Sequence, residues 1–108
     1  MHLPFSTDSL QTPCYVTDVA ALKRNGEILK SVQQETGCKI LLAQKAFSMF
    51  ATYPILKPYL AGTTASGLYE AKLGREEMGG EVHIFSPPSP EQDFPEICAI
   101  SDHIVFNS

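Results

Sequence analysis

The chain has little positive charge. Its 108 residues carry eight Lys and Arg against twelve Asp and Glu, a formal net charge of −4. No basic run occurs, which argues against a nucleic-acid partner. No apolar stretch approaches the ~20 residues that a membrane span needs. The opening residues Met1-His2-Leu3-Pro4-Phe5 lack the basic and apolar regions of a signal peptide. Cysteines are few, odd in number and widely spaced, at Cys14, Cys38 and Cys98. Neither Cys-x-x-Cys nor His-x-x-x-His occurs, so spacing gives a metal site no support and the expected metal is none. Scattered free thiols fit a reducing cytoplasm, which is the expected compartment. Charged residues make up only 19% and hydrophobic residues an ordinary 44%, so most of the chain is not expected to be disordered, and its length suits at most one small domain.

The organising stretch is Lys39 to Phe50. A short apolar run, Ile40–Ala43, ends beside one lysine, Lys45, and apolar residues resume at Ala46, Phe47, Met49 and Phe50. Around it the chain divides into an arm, residues 1–11, broken by Pro4, and a short β-branched and aromatic strand within 12–18. The pattern then predicts a helix from Asp18 as N-cap to Gly37 as C′ glycine, weakened by Gly26. Strands are expected at Lys39–Gln44, Gly62–Ser66, Glu81–Phe85 and Asp102–Asn107. Helical segments lie between them, at 48–60 (interrupted by Pro54 and Pro58), 67–78 and 90–100. The strands start on the order of 20 residues apart, and such βα repeats imply right-handed crossovers and a parallel sheet. Both an α/β barrel and a doubly wound sheet satisfy that pattern. A last strand with no helix after it, in a chain far short of the ~250 residues of a closed barrel, reads as the N-terminal part of a longer protein. An open parallel edge further predicts poor solubility or a molten state for the segment alone.

Active sites in parallel α/β architectures gather at the carboxyl ends of the strands. Those ends are Gln44-Lys45, Thr64-Ala65-Ser66, Ser86-Pro87 and Asn107-Ser108. Lys45 is the strongest nucleophile among them. An amine pressed among apolar neighbours loses its proton more readily and can form a Schiff base with a carbonyl; the bland alternative is a lysine that snorkels to the surface. Ser66 is a phosphate donor or, more commonly at such a place, a helix cap. Thr63 and Thr64 are strand residues first and pocket hydroxyls second. Glu70 reads as a cap or surface carboxylate, His83 and His103 as structural residues, and Glu76-Glu77 as a solvated helix face.

Several motifs, in order, resemble one family. They are Thr12-Pro13-Cys14-Tyr15-Val16, Leu42-Ala43-Gln44-Lys45-Ala46-Phe47-Ser48-Met49, Gly62-Thr63-Thr64-Ala65-Ser66 with Glu70-Ala71-Lys72-Leu73-Gly74, and Asp102-His103-Ile104-Val105-Phe106-Asn107-Ser108. Together they are similar to the pyridoxal-phosphate decarboxylases of the alanine racemase/ornithine decarboxylase barrel class, most of all to its carboxynorspermidine (carboxyspermidine) decarboxylase branch. Phe47 stands where ornithine, arginine and diaminopimelate decarboxylases usually have asparagine. Thr63 stands where an Asp-x-x-Ser motif would begin, so the aspartate's role does not carry over. The resemblance implies the N-terminal part of a (β/α)8 TIM-type barrel, incomplete in this chain, with residues 19–108 as its first half. It assigns the strand at 12–18 to a C-terminal β-domain. It implies pyridoxal 5'-phosphate held by Lys45 as a Schiff base, with Thr64 and Ser66 beside it, and decarboxylation of a polyamine precursor in a homodimer. Other decarboxylases of the class, a non-catalytic pyridoxal-phosphate-binding barrel and a cofactor-free repeat-type binding domain are the alternatives.

Overall fold

The structure, a computed structural model, describes residues 5–107. The first four residues of the expected arm, and Ser108 at the end of the last motif, lie outside the described residues. The elements are α1 (Val19–Thr36), β1 (Leu41–Ala43), a 3-10 turn (Phe50–Thr52) leading into α2 (Tyr53–Leu56), β2 (Gly62–Ala65), α3 (Leu68–Leu73), a π-helical turn (Gly74–Met78), β3 (Glu81–Phe85), a second 3-10 turn (Glu91–Asp93), α4 (Phe94–Ile100) and β4 (His103–Val105).

Helix α1 begins and ends at the residues its sequence predicts. The Asp18 carboxylate accepts the Ala21 N–H at 2.9 Å, and Gly37, at φ 73°, donates to the Gln33 carbonyl. Gly26, a weak helix former, is buried because Tyr59 crosses the helix there. A Cβ on Gly26 would lie 2.6 Å from a Tyr59 ring carbon. Gln33 then joins the end of α1 to its surroundings, donating to the Tyr59 carbonyl at 2.6 Å and accepting the Ile40 N–H at 2.9 Å. The prolines reduce the expected 48–60 helix to one 3-10 turn and one α-turn, with Pro54 in the first turn of α2.

The four strands are all parallel and lie in chain order, β1-β2-β3-β4. A doubly wound sheet reverses its strand order at a switch point, and this sheet does not. The register aligns Leu42 with Thr63 and Val82, and Ile84 with Ile104. These residues share the face that the helices cover. Val82, Ile84 and Ala65 pack with Ala71 of α3 and Ile97 of α4, while Leu42 meets Tyr53 and Leu56 of α2 and Met78 of the π-turn. Burial of a side chain such as Ile97 stabilises by ~1.5–3 kcal/mol. On the opposite face lie Leu41, Ala43, Gly62, Thr64, Glu81, His83, Phe85, His103 and Val105, with Phe85 and Val105 exposed. The alternation along β3 (half-buried Glu81 and His83, buried Val82 and Ile84) is the period-2 signature of a sheet with one covered face.

The strand expected within 12–18 is not formed. Residues 12–18 carry no ladder and, apart from Thr17, are exposed. A strand needs a hydrogen-bonding neighbour, and no other described strand pairs with this segment. Among the described residues no helix is long and apolar enough to cross a membrane.

Candidate active site

The ladder brings the strand-end residues level. Ala43 pairs with Thr64, Thr64 with His83, and His83 with His103, making one row across the uncovered face. The Gln44 N–H donates to the Thr64 carbonyl at 3.2 Å and extends the β1–β2 ladder beyond the last strand residue. Lys45 follows Ala43 by two residues and Ser66 follows Thr64 by two. Both residues therefore lie just past the carboxyl ends of neighbouring strands, whose backbones are ~4.8 Å apart in such a sheet. Phe85 and Val105, paired in register, continue that end of the sheet with exposed apolar surface.

Lys45 lies in a turn over residues 44–46 and is exposed. No hydrogen bond or ion pair to a described residue engages its amine. The expectation of an amine pressed among apolar neighbours is corrected here. The chain turns away from the sheet at once, leaving Ala46, Ser48 and Phe50 exposed and Phe47 and Met49 half-buried. A cavity of about 430 Å³ opens beside the turn, lined by Tyr15, Ala46, Phe47, Ser48 and Met49.

Ser66 is also exposed, and it is not the helix cap. Gly67 occupies the N-cap of α3, with no side-chain cap bond. The backbone N–H of Ser66 donates to the Glu70 carboxylate. Glu70 thus performs the capping expected of it, one residue earlier than in a regular capping box. The Ser66 hydroxyl is left to face solvent. Thr64 is half-buried between Ala43 and His83, and Thr63 is fully buried on the helix side.

Two groups escaped the sequence reading. Gln44 is 1% exposed, donating to the Glu70 carbonyl at 2.6 Å and accepting from the Tyr53 hydroxyl at 3.0 Å. Burial, and next the charge of Glu70, push the Tyr53 phenol above its ordinary range. The second group is Glu81, His83 and His103, whose ligating atoms all lie within 4.8 Å of one another. His83 Nε2 is 2.9 Å from one Glu81 oxygen, and Lys39 pairs with the other. The Lys39 ammonium, and then His83, hold the Glu81 carboxyl below the usual carboxylate range. A cation placed here would have to compete with Lys39 for that carboxylate. The Glu-x-His alternation in β3 puts both side chains on one face, but His103 joins them only through the β3–β4 register.

No family model matches the chain. It is 44% identical over 101 residues to a carboxynorspermidine/carboxyspermidine decarboxylase of Campylobacter jejuni, covering 94% of this chain and 26% of that protein. A protein of the same name from Herminiimonas arsenicoxydans is 39% identical, over 92% of this chain and 27% of its own length. The carboxyaminopropylagmatine decarboxylase of Synechocystis is 41% identical, over 93% and 26% respectively. Among solved structures, the carboxynorspermidine decarboxylase of Campylobacter jejuni complexed with norspermidine aligns with a TM-score of 0.88 at 44% identity. It covers 92% of this chain and 27% of that one. The chain thus spans about a quarter of the length of the relatives it matches. The resemblance carried by its motifs agrees with these names.

Proposed function

We propose that this chain is part of a pyridoxal-phosphate-dependent decarboxylase that converts carboxynorspermidine or carboxyspermidine to the corresponding triamine, with Lys45 holding the cofactor. The observation that carries the reading is the position of Lys45: an unengaged, exposed amine in the turn at the carboxyl end of a parallel strand, with Ser66 at the same end of the neighbouring strand. Relatives at 39–44% identity that bear this activity in their names support the reaction and its substrate class.

The donor set fits the cofactor in part. Lys45 supplies the amine that an aldehyde requires, and Thr64 and Ser66 supply hydroxyls on the adjoining strand. Among the described residues the carboxylate nearest Ser66 is that of Glu70, and it is taken up by the Ser66 N–H. When bound, pyridoxal phosphate supplies an electron sink for the pair released as the carboxylate leaves. Lys45 would be the residue that holds the cofactor's aldehyde through its amine. The exposed Ser66 hydroxyl would be free to donate to an anionic group of the cofactor, and Phe85 with Val105 adds exposed apolar surface at that end of the sheet.

The sequential parallel order, with helices on one face, supports the finer architecture: residues 19–108 as the first half of a (β/α)8 barrel, and residues 12–18 completing a sheet of a separate β-domain. A homodimer in the cytoplasm is the assembly and compartment proposed for the whole protein. A second reading for the substrate, carboxyaminopropylagmatine, is favoured by the 41% identity to the enzyme named for it.

The test is borohydride reduction of the full-length protein with pyridoxal phosphate, followed by peptide mass spectrometry, and carbon dioxide release from each candidate substrate. A pyridoxyl group on Lys45 and release from carboxynorspermidine or carboxyspermidine are expected. An unmodified Lys45 overturns the cofactor assignment. Release from carboxyaminopropylagmatine alone, or from ornithine or diaminopimelate alone, overturns the substrate.

A further inference from the structure

We propose that Gln44 is a positioning residue for Lys45, acting through its bonds to Tyr53 and Glu70. The proposal rests on the assignment of Lys45 as the cofactor-holding amine. Gln44 immediately precedes Lys45, and its side chain is enclosed on the helix side of the sheet. Its amide donates to the Glu70 carbonyl in the first turn of α3, and its carbonyl accepts from the buried Tyr53 hydroxyl. Its backbone N–H holds β2 at Thr64. Glu70 is gripped a second time, its carboxylate accepting the Ser66 N–H. One residue of α3 therefore connects the neighbour of Lys45 to Ser66 itself.

The physical consequence concerns reach. Lys45 is on an exposed turn and its own side chain holds nothing, so nothing local to Lys45 fixes the direction of its stem. The turn is instead anchored by a buried amide with both functional ends engaged. Buried polar groups of this kind are costly when a partner is missing, which makes the arrangement single-valued. The space has no slack: a Cβ on Gly74 would come within 3.2 Å of Gln44 Nε2. Tyr53, a phenol and so protonated at neutral pH, donates the bond that orients the Gln44 amide.

The experiment compares the full-length wild-type protein with Gln44→Met, which keeps the volume and removes both side-chain bonds, and with Tyr53→Phe, which removes one. Each is incubated with pyridoxal phosphate well below its melting temperature and reduced with cyanoborohydride. The pyridoxyl yield at Lys45 is then read relative to Lys39 and Lys57. Hydrogen exchange at the Ser66 amide is measured in parallel. Gln44→Met should lower the Lys45 share about tenfold and Tyr53→Phe a few-fold, the effect of losing buried hydrogen bonds. Both variants should speed exchange at Ser66. A general loss of stability would lower the yield at all three lysines together, whereas loss of positioning lowers it at Lys45 alone.

An unchanged Lys45 share in a folded Gln44→Met protein overturns the proposal. If Gln44→Met does not fold, Tyr53→Phe decides by the same criterion. A wild-type protein that forms no Lys45 adduct defeats the cofactor assignment instead. Ser66 exchange then reads the clamp alone, and unchanged exchange in Tyr53→Phe overturns that too.

Discussion

Asp102 and Val82 bond to each other twice. The Asp102 N–H donates to the Val82 carbonyl at 2.8 Å, and the Asp102 carboxylate accepts the Val82 N–H at 2.7 Å. The same carboxylate oxygen meets Arg75 at 2.8 Å, and the Arg75 guanidinium also grips the Ile100 carbonyl through two nitrogens. The last turn of α4, the start of β4 and the start of β3 are thereby joined at the end of the sheet opposite Lys45.

This joint sets an acid limb of stability. The Val82 N–H, and secondarily Arg75, hold the Asp102 carboxyl below its ordinary value of 3.8 against the opposing effect of burial. A carboxyl depressed on folding stabilises fully above its unfolded pKa, and that stability is lost as pH falls through the folded value. The side chain is 42% exposed, so solvent screens part of the interaction. Asp102→Ala should cost about 1 kcal/mol at pH 7. Urea unfolding at a series of pH values checks this: the gap between wild type and variant should close as pH drops below 3.8. A gap independent of pH would separate Asp102 from the acid limb.

What the sequence made legible is local. Asp18 and Gly37 announced both ends of α1, and Glu81–Phe85 was bounded by Gly79-Gly80 and Ser86-Pro87-Pro88, so its limits match the structure. Strand-end placement of Lys45, Thr64 and Ser66 followed from counting βα repeats. The rest depended on long-range packing. The 67–78 helix changes to a π-turn at Gly74 where Thr63 presses against it, a contact no helical periodicity records. The exposure of Lys45 follows from a turn that the apolar residues Ala46 to Phe50 concealed. By pattern Gln44 is one more strand residue; only the fold brings Tyr53 and Glu70 together on its side chain. The missing strand at 12–18 had the right composition and lacked a neighbour, which β-propensity cannot supply.

Gly74→Ala should destabilise despite alanine's better helix propensity. Its Cβ would fall 2.1 Å from Thr63 Oγ1 and 3.1 Å from Thr63 Cβ, beneath a wider turn in which the Gly79 N–H bonds back to the Gly74 carbonyl. Overpacking costs ~1–3 kcal/mol, offset by up to ~1 kcal/mol of propensity, for a net loss of about 1–2 kcal/mol. Adding Thr63→Ala removes the oxygen that Cβ would strike. The double variant should therefore lose less than the sum of the singles, a coupling measurable by urea unfolding. Strict additivity would break the link between the two residues.

Thr63→Val has the opposite sign. Thr63 is fully buried, and its hydroxyl finds no partner among the described residues. Valine matches its shape without a polar atom to desolvate. A stabilisation of up to ~1 kcal/mol is expected, because a buried hydroxyl with no partner is a net cost. A loss of stability in urea unfolding of Thr63→Val would mean that the hydroxyl has a partner after all.

Lys45→Ala separates chemistry from folding. Nothing in the described structure bonds to the Lys45 amine and the residue is exposed, so its removal should change unfolding free energy by less than ~0.5 kcal/mol. Decarboxylase activity of the full-length protein should nevertheless fall by on the order of 10³-fold or more, as when a covalent group is removed from other enzymes. Lys45→Arg keeps the positive charge but cannot form an imine, since the guanidinium stays protonated. It should therefore fail as completely as alanine. If arginine restores a substantial fraction of turnover while alanine does not, Lys45 acts by its charge and the Schiff-base role falls. If both variants are inactive with melting curves superimposed on wild type, the amine itself is what the reaction requires.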